Sequence, residues 1–156
     1  MLIRAAVAND RERLSAIYAD AVRAAAPGRY SPEQVDAWAD AAERAASSAL
    51  AADHETWVAE IDDVVAGWGS LDRRNEPAGR VAYLYIAGDF QRRCVGDALL
   101  QTIEQRAREL GHSHLTSEAS FLSIGLFLRR GYHETEQEVV DWGPVQFRRH
   151  LVRKDL

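Results

Sequence analysis

A short basic loop is the part of the sequence whose residue types are best suited to chemistry. It reads QRRCVG at positions 91–96 and lies between a strand-like apolar stretch and a helix predicted to begin near Val95. The N-terminus of a helix presents unpaired amide hydrogens and a partial positive charge to an anion. Gly96 lets the backbone approach such a group closely, while Arg92 and Arg93 add charge and donors. The loop predicts a phosphate site, although a capped surface helix with two solvated arginines explains it equally well.

The elements that must position this loop follow from the hydrophobic periodicity. The strand before it covers residues 80–87, whose apolar side chains suit a central strand buried on both faces. The helix after it ends at Gly111, which suits a C-cap. A second strand and helix follow at 114–118 and 120–130. Two strand–helix units in series imply a parallel pair of strands. Two final strands are predicted at 132–142 and 145–152.

The N-terminal part of the chain predicts a short strand followed by two or three helices. Asp10 is a possible N-cap of the first helix. A second start signal is more complete, because Ser31 can cap, Pro32 suits the first helical turn and Gln34 closes a capping box. The alanine-rich sequence up to residue 52 favours continued helix.

A hairpin is predicted between these helices and the central strand. Its arms are residues 56–61 and 64–71, and a polar loop at 72–79 follows. Gly67 and Gly69 lie within the second arm. A glycine inside a strand marks a bulge or a place where something approaches the backbone closely, and the bulge is the simpler interpretation.

Length and composition narrow the class of protein. A chain of 156 residues with 47% hydrophobic and 28% charged residues predicts one globular domain, residues 1–156. A net charge of −5 disfavours nucleic acid and favours cationic partners. The single cysteine, Cys94, cannot form an intrachain disulfide. No apolar stretch approaches the length of a membrane span, and the first residues do not resemble a signal peptide, so we expect a cytoplasmic protein without a membrane partner.

The basic loop resembles the Gln/Arg-x-x-Gly-x-Gly/Ala pyrophosphate loop of the GNAT superfamily of N-acetyltransferases. A second block is similar to the family's Ala-Ser-x-x-Ala-x-x-Phe-Tyr-x-Arg-x-Gly-Phe pattern; it consists of Ser120, Ser123, Leu126, Phe127, Arg129, Gly131 and Tyr132. Residues 30–39 also resemble the first-helix region of a subgroup of small bacterial members. The resemblance covers essentially the whole chain. It implies a mixed α/β acyltransferase fold, with a mostly antiparallel central sheet that contains one splayed parallel pair and is flanked by helices.

The resemblance implies that acetyl-CoA is the cosubstrate. It places the pyrophosphate on the amides of the basic loop, the pantetheine arm along the central strand and the thioester at the splay. The residues expected to contact the cosubstrate are Ile86, Ala87, Gln91, Arg92, Arg93, Cys94, Val95, Gly96, Asp97, Ala98, Ser123 and Phe127. The amide of Ile86 is the expected donor to the thioester oxygen, which gives it a catalytic role.

Three residues depart from the family pattern, and one of them is Gly88, which occupies the place of a common proline and costs the loop rigidity. Cys94 occupies the place of a usual glycine, and Phe127 occupies that of a tyrosine that protonates the departing thiolate in many members. Another acid is therefore needed, and Tyr85 on the central strand is the candidate, since a phenol has a pKa near 10. Glu118 is a candidate base or amine anchor. Each has a simpler interpretation, Tyr85 as a core residue and Glu118 as a solvated or capping carboxylate.

The acceptor is predicted to be the amine of a small molecule or peptide. Tyr30, Trp38 and Trp68 are the candidate residues of its pocket, although a hydrophobic staple explains Tyr30 and core packing explains the tryptophans. His112 and His114 lack the further ligands of a metal site, so no metal is expected. A catalytically silent acyl-CoA-binding sensor or regulatory module is the alternative function. The terminal strands could pair in a homodimer.

Overall fold

The structure, a computed structural model, describes residues 1–74 and 78–156. Its helices are α1 (Arg11–Ala25), α2 (Pro32–Ala39), α3 (Ala42–Ala49), α4 (Val95–Glu109) and α5 (Ile124–Arg129). Its strands are β1 (Leu2–Ala5), β2 (His54–Ile61), β3 (Val64–Asp72), β4 (Ala78–Ile86), β5 (His114–Ala119), β6 (His133–Trp142) and β7 (Val145–Asp155). The predicted order of elements is confirmed, with three helices before β2. Part of the predicted loop at 72–79 lies outside the described residues.

All seven strands belong to one sheet, in the order β1-β2-β3-β4-β5-β7-β6. β4 is the middle strand, as predicted. In the described part of the chain β4 and β5 pair in parallel, and every other neighbouring pair is antiparallel. The parallel pair is joined through α4, because parallel strands need a crossover connection. The mixed α/β fold with one parallel pair is therefore confirmed.

The helices cover both faces of this sheet. On one face, α1, α2 and α3 pack against a core that includes Trp68 and the partly buried rings of Tyr83 and Tyr85. On the other face, α4 packs against a core that includes Val81 and Leu84. Side chains of successive strand residues point to opposite faces, so Tyr83 and Tyr85 face α1 and Leu84 faces α4. A register shift at Ala82 lets Val81 face α4 as well.

Local signals in the sequence differ in how well they predicted the helix ends. The capping box is present, because the Ser31 hydroxyl accepts from the Gln34 amide (3.1 Å) and the Gln34 side chain accepts from the Ser31 amide (2.9 Å). Asp10 does precede α1, but its carboxylate accepts from Arg4 (2.8 Å) rather than capping the helix. The predicted helix at 120–130 is shorter, since its first residues form a turn in which the Ser123 hydroxyl accepts from the Ser120 amide (3.0 Å).

Gly67 meets both of its predicted uses. The register of β2 against β3 shifts beside it, because Ala59 faces Gly67 whereas the next residue faces Val65. A Cβ at Gly67 would lie 2.7 Å from Ile86 Cδ1 and 2.9 Å from the Tyr85 carbonyl oxygen. The bulge and the close packing together bring β3 against the C-terminal end of β4, where the strand approaches the basic loop.

Candidate active site

A gap opens in the middle of the sheet where β4 and β5 separate. Their backbones pair only from Ala78 to Arg80 on β4. Next to this pairing the Ser117 hydroxyl donates a hydrogen bond to the Val81 carbonyl (2.8 Å). Beyond it β4 continues to Ile86 without β5, and a cleft of about 610 Å³ lies between the two strands. This volume is in the range of small-molecule sites.

The backbone of Ile86 points into this gap. Antiparallel neighbours alternate between hydrogen-bonded and non-hydrogen-bonded pairs. The Ala87 amide donates to the Ala66 carbonyl (2.9 Å), so Ala66 and Ala87 form a hydrogen-bonded pair. Ile86 faces Gly67 at the next position, which is a non-hydrogen-bonded pair. The amide and carbonyl of Ile86 are therefore directed away from β3, toward the side from which β5 has withdrawn.

The basic loop holds the N-terminus of α4 at the mouth of the cleft. Arg92 (φ 60°) and Cys94 (φ 61°) both have left-handed backbone conformations, which residues with a Cβ adopt at a cost. The first helical hydrogen bond runs from the Ala98 amide to the Cys94 carbonyl (3.1 Å). The amides of residues 95–97 precede that bond and have no intrahelical acceptor. Three backbone donors are thus available to an anion in the cleft.

The Tyr85 phenol lies in the cleft on the α1 face and is held by Trp38. The Trp38 indole Nε1 donates to the Tyr85 hydroxyl oxygen (3.1 Å). The Tyr85 ring also lies on Tyr18, with ring centroids 4.1 Å apart. Burial raises the pKa of Tyr85 above its ordinary value of 10.0, against the opposing effect of the hydrogen bonds from Trp38 and Tyr18. The phenol therefore stays protonated at neutral and moderately alkaline pH.

Glu118 lies in the cleft opposite Tyr85 and forms an ion pair. The Nε–H of Arg80 is shared between its two carboxylate oxygens, at 2.8 and 3.1 Å. Arg80 also contacts Asp72 (3.4 Å), whose side chain is 2% exposed. Burial favours a higher pKa for Asp72, but hydrogen bonds from Arg74 outweigh it and lower the pKa to about 2. Asp72 is therefore a fixed negative charge behind Arg80.

The structure brings most of the predicted site residues into one cleft. The lining residues among them are Trp38, Tyr85, Ile86, Gln91, Arg92, Cys94, Val95, Gly96, Asp97, Glu118, Ser123 and Phe127. Three residues predicted to contact the cosubstrate do not line it. The Ala87 amide donates to the Ala66 carbonyl on β3, and the Ala98 amide donates to the Cys94 carbonyl. The Arg93 guanidinium lies over the Phe90 ring (5.2 Å) instead.

Two of the three predicted acceptor residues lie outside the cleft. Trp68 is fully buried, and its indole donates to the Leu14 carbonyl (3.0 Å), so it is a core residue rather than a pocket wall. Tyr30 lies behind Trp38, which lines the cleft. Its ring packs edge-on against Trp38 (5.3 Å), and its hydroxyl accepts from the Phe121 amide (3.3 Å). Tyr30 therefore connects the segment after α1 with the segment after β5.

Several lining residues were not predicted from the sequence. Arg29 follows α1 and Arg129 lies on α5; both contribute to the cleft. A patch of small side chains on α1 also lines it and leaves room beside β4: Ala21, Ala24 and Ala25. The helical spacing of these alanines was a usable signal. Arg29 follows a Pro-Gly stop and carried no signal at all.

Within residues 1–74 and 78–156, no group of three or more His, Cys, Asp or Glu side chains is arranged to hold a metal ion. None of the helices in that part of the chain combines the length and apolar character needed to cross a membrane.

Known proteins resemble this chain over nearly its whole length. A family model for the acetyltransferase (GNAT) domain matches residues 27–147. YafP of Escherichia coli (strain K12), described as an uncharacterized N-acetyltransferase, is 29% identical over 144 residues, which are 92% of this chain and 89% of YafP. The similarity therefore extends over most of both chains rather than over one motif alone.

Solved structures agree with this assignment. The GCN5-related N-acetyltransferase from Rhodopseudomonas palustris has a TM-score of 0.89 and 27% identity, over 99% of this chain and 95% of that one. The PaiA N-acetyltransferase from Thermoplasma acidophilum, solved with coenzyme A, has a TM-score of 0.78 and 17% identity, over 99% of this chain and 98% of that one. The chain belongs to the acetyltransferase (GNAT) family and is an acetyl-CoA-dependent acyltransferase.

Proposed function

We propose that the protein is an N-acetyltransferase that transfers the acetyl group of acetyl-CoA directly to a primary amine of a small molecule or peptide. The amine nitrogen forms a bond to the thioester carbon, and the carbon–sulfur bond breaks. The nitrogen loses one proton to a base or to water, and the departing thiolate gains one from an acid. The protein must therefore hold the two reactants together, stabilise the carbonyl oxygen and supply a proton to sulfur.

The direction of the Ile86 amide is the observation that carries this proposal. It faces a gap between two parallel strands, and the three free amides of α4 lie at the mouth of the same cleft. A pantetheine arm carries amide groups that can pair with an open strand edge. With its pyrophosphate on residues 95–97 and its arm along β4, acetyl-CoA would bring the thioester oxygen to the Ile86 N–H. One such donor is worth about 3 to 4 kcal/mol in the transition state.

Tyr85 is the proposed acid and Glu118 the proposed amine anchor. The Tyr85 oxygen accepts from Trp38, and the phenol can donate its own hydrogen to a thiolate. Arg80 occupies part of the Glu118 carboxylate. A carboxylate has about four lone-pair sites, which leaves room for one hydrogen bond from the incoming amine.

Thiol release tests this function. The purified protein is given acetyl-CoA and a mixed panel of amines, thiol is measured with a chromogenic reagent, and the acetylated amine is identified by mass spectrometry. Calorimetric titration with coenzyme A measures binding separately. We expect amine-dependent thiol release together with saturable binding. Neither release nor binding would refute both the transfer and the cosubstrate site.

The same two measurements separate the enzyme from a silent acyl-CoA-binding module. One observation favours the module: Phe127 is 2% exposed in the wall of the cleft and carries no hydroxyl. Tight binding of coenzyme A with no thiol release for any amine would support the module and exclude the enzyme.

A further inference from the structure

Arg29 is a charged residue of the cleft to which the proposed reaction gives no role. It follows α1 on the face of the sheet opposite α4, its side chain is exposed, and it lines the cleft. Within residues 1–74 and 78–156, no carboxylate lies within ion-pair distance of it. The other lining arginines lie elsewhere: Arg92 belongs to the basic loop, and Arg129 belongs to α5. Arg29 is therefore a free cation on the side from which an acceptor would enter.

The negative charge on this side of the cleft is already matched. Glu118 receives the Arg80 guanidinium at 2.8 Å, so its charge is largely offset. Asp20 on α1 does not line the cleft, and its carboxylate accepts from the Gly88 amide (2.7 Å). Asp97, the other acidic lining residue, lies in the first turn of α4 beside the basic loop. Among the residues that the structure describes, the acceptor side consequently presents one unmatched positive charge and no unmatched negative one.

This local balance is opposite to that of the whole chain. The net charge of −5 favours cationic partners when the sequence is considered alone. Four acidic residues lie on β6 at the edge of the sheet, and none of them lines the cleft: Glu134, Glu136, Glu138 and Asp141. Electrostatic selection of a ligand depends on the potential inside its cleft rather than on the net charge. The cleft thus selects against polycationic acceptors.

The remaining walls on this side are apolar. Trp38 and the alanines of α1 line one wall, and Phe121, which is 49% exposed, lines the other with Leu122. The Tyr30 hydroxyl accepts from the Phe121 amide and so ties the two walls together next to Arg29. An acceptor that fits these walls combines an apolar body with one anionic end.

We propose that the acceptor is an aminocarboxylate, an amino acid or a close analogue, whose carboxylate binds Arg29 while its amino group reaches the gap at Ile86. This inference rests on the proposed N-acetyltransferase function. Arginine suits the role, since its planar guanidinium binds a carboxylate through two parallel hydrogen bonds. Such a contact leaves the amine free and places the apolar side chain against Trp38 and Phe121.

Matched acceptors test the proposal. A panel of the twenty amino acids and an ω-amino acid length series are compared with the corresponding carboxamides and with spermidine, by thiol release and by calorimetric binding in the presence of coenzyme A. We expect the best carboxylate to exceed its carboxamide by about tenfold or more in kcat/KM, the usual effect of a hydrogen bond to a charged group. Spermidine should be a poor substrate.

Variants of Arg29 identify the responsible residue. Arg29→Ala should lower kcat/KM for the carboxylate by about tenfold, mainly through KM, and leave the carboxamide unchanged; Arg29→Lys should recover part of the loss. Arg23→Ala is the matched control, since Arg23 lies on the exposed side of α1, paired with Asp36 and outside the cleft. It should behave like the parent.

The outcomes distinguish this proposal from the function on which it rests. Preference for carboxamides or spermidine, equal loss for every acceptor in Arg29→Ala, or weaker coenzyme A binding in that variant would overturn the aminocarboxylate assignment and leave the transferase standing. Absence of binding by any amino acid would overturn it too. Arg29-dependent binding of amino acids without thiol release would support the carboxylate site and refute the transferase.

Discussion

Replacing Tyr85 by phenylalanine removes the one atom that we assign to protonation of the thiolate. The substitution keeps the ring on Tyr18 and therefore most of the packing. It also removes the acceptor of the Trp38 indole, which lies 3.1 Å away. Two effects are expected, one on turnover and one on stability, and they can be measured independently.

The expected loss in turnover is about a hundredfold. General acids contribute between 10² and 10⁴ in rate, and they work best when their pKa lies near the working pH. Burial raises the pKa of Tyr85 above 10.0, so its acidity is less than ideal and the effect belongs at the lower end of that range. The stability cost should stay near about 1 kcal/mol, because Trp38 is only partly buried and water can replace the lost acceptor.

The assay is steady-state thiol release from pH 6 to pH 10, with coenzyme A affinity measured by calorimetry. The parent should show no alkaline loss of kcat below about pH 10, since the acid must be protonated and its raised pKa extends that state upward. Tyr83→Phe is the control, because it removes a phenol two positions away on the same face of β4. Its kcat should stay within about twofold of the parent.

An unchanged kcat in Tyr85→Phe, with the fold intact, would refute the assignment. A fall in kcat that is matched by Tyr83→Phe would refute it equally, since the effect would then be general to the aromatic wall. Weaker coenzyme A binding in Tyr85→Phe alone would show that the phenol positions the cosubstrate rather than donating a proton.

Three further predictions concern the loop and the buried charges. Cys94→Gly relieves left-handed strain of roughly 1 kcal/mol that the folded chain carries without ligand, so urea unfolding should show a gain of up to about 1 kcal/mol. Cys94→Ala, which keeps the Cβ, should match the parent, and a loss of stability in Cys94→Gly would contradict the strain argument. Glu104, which is 1% exposed, forms ion pairs with Arg130 and Lys154. In urea unfolding, Glu104→Ala should lower the free energy of unfolding by about 3 to 5 kcal/mol, and a loss below about 1 kcal/mol would contradict this prediction. The pKa of Asp72 is lowered from 3.8 to about 2, so its charged form stabilises the fold above pH 3.8 and this stabilisation is lost as the pH falls toward 2. In urea unfolding between about pH 5 and pH 2, the parent should lose up to about 2 kcal/mol more than Asp72→Asn. Equal losses in the two proteins would contradict this prediction.

The fold was predictable because its signals are local. Alternation and apolar runs locate the strands, Ser31 and Gln34 define the start of α2, and Gly111 ends the helical segment of α4 with a φ of +78°. The two strand–helix units require a parallel pair. Exact helix ends were less predictable, because the Asp10 carboxylate binds a guanidinium on β1 instead of the amides of α1.

The site was predictable only where one segment builds it. The basic loop and the first turn of α4 are contiguous in the sequence, and most of their predicted residues line the cleft. Contacts between distant segments left no trace in a single sequence: Arg80 with Glu118, Trp38 with Tyr85, and Arg29 beside the acceptor side. Trp68 was a candidate for both the pocket and the core, because residue type alone does not distinguish a core indole from one in a pocket wall; the structure buries it completely.

The separation of β5 from β4 leaves one edge of β4 unpaired at the centre of the sheet. The stability of the folded chain therefore depends on the ligand that binds there. A molecule that hydrogen-bonds to the unpaired edge of β4 takes the place of a neighbouring strand, and it binds only the folded state. Each tenfold rise in its free concentration above Kd then adds about 1.4 kcal/mol to the unfolding free energy. Without that molecule, the protein would unfold at a lower temperature and be degraded faster by proteases. Its abundance would therefore follow the concentration of the metabolite that it consumes.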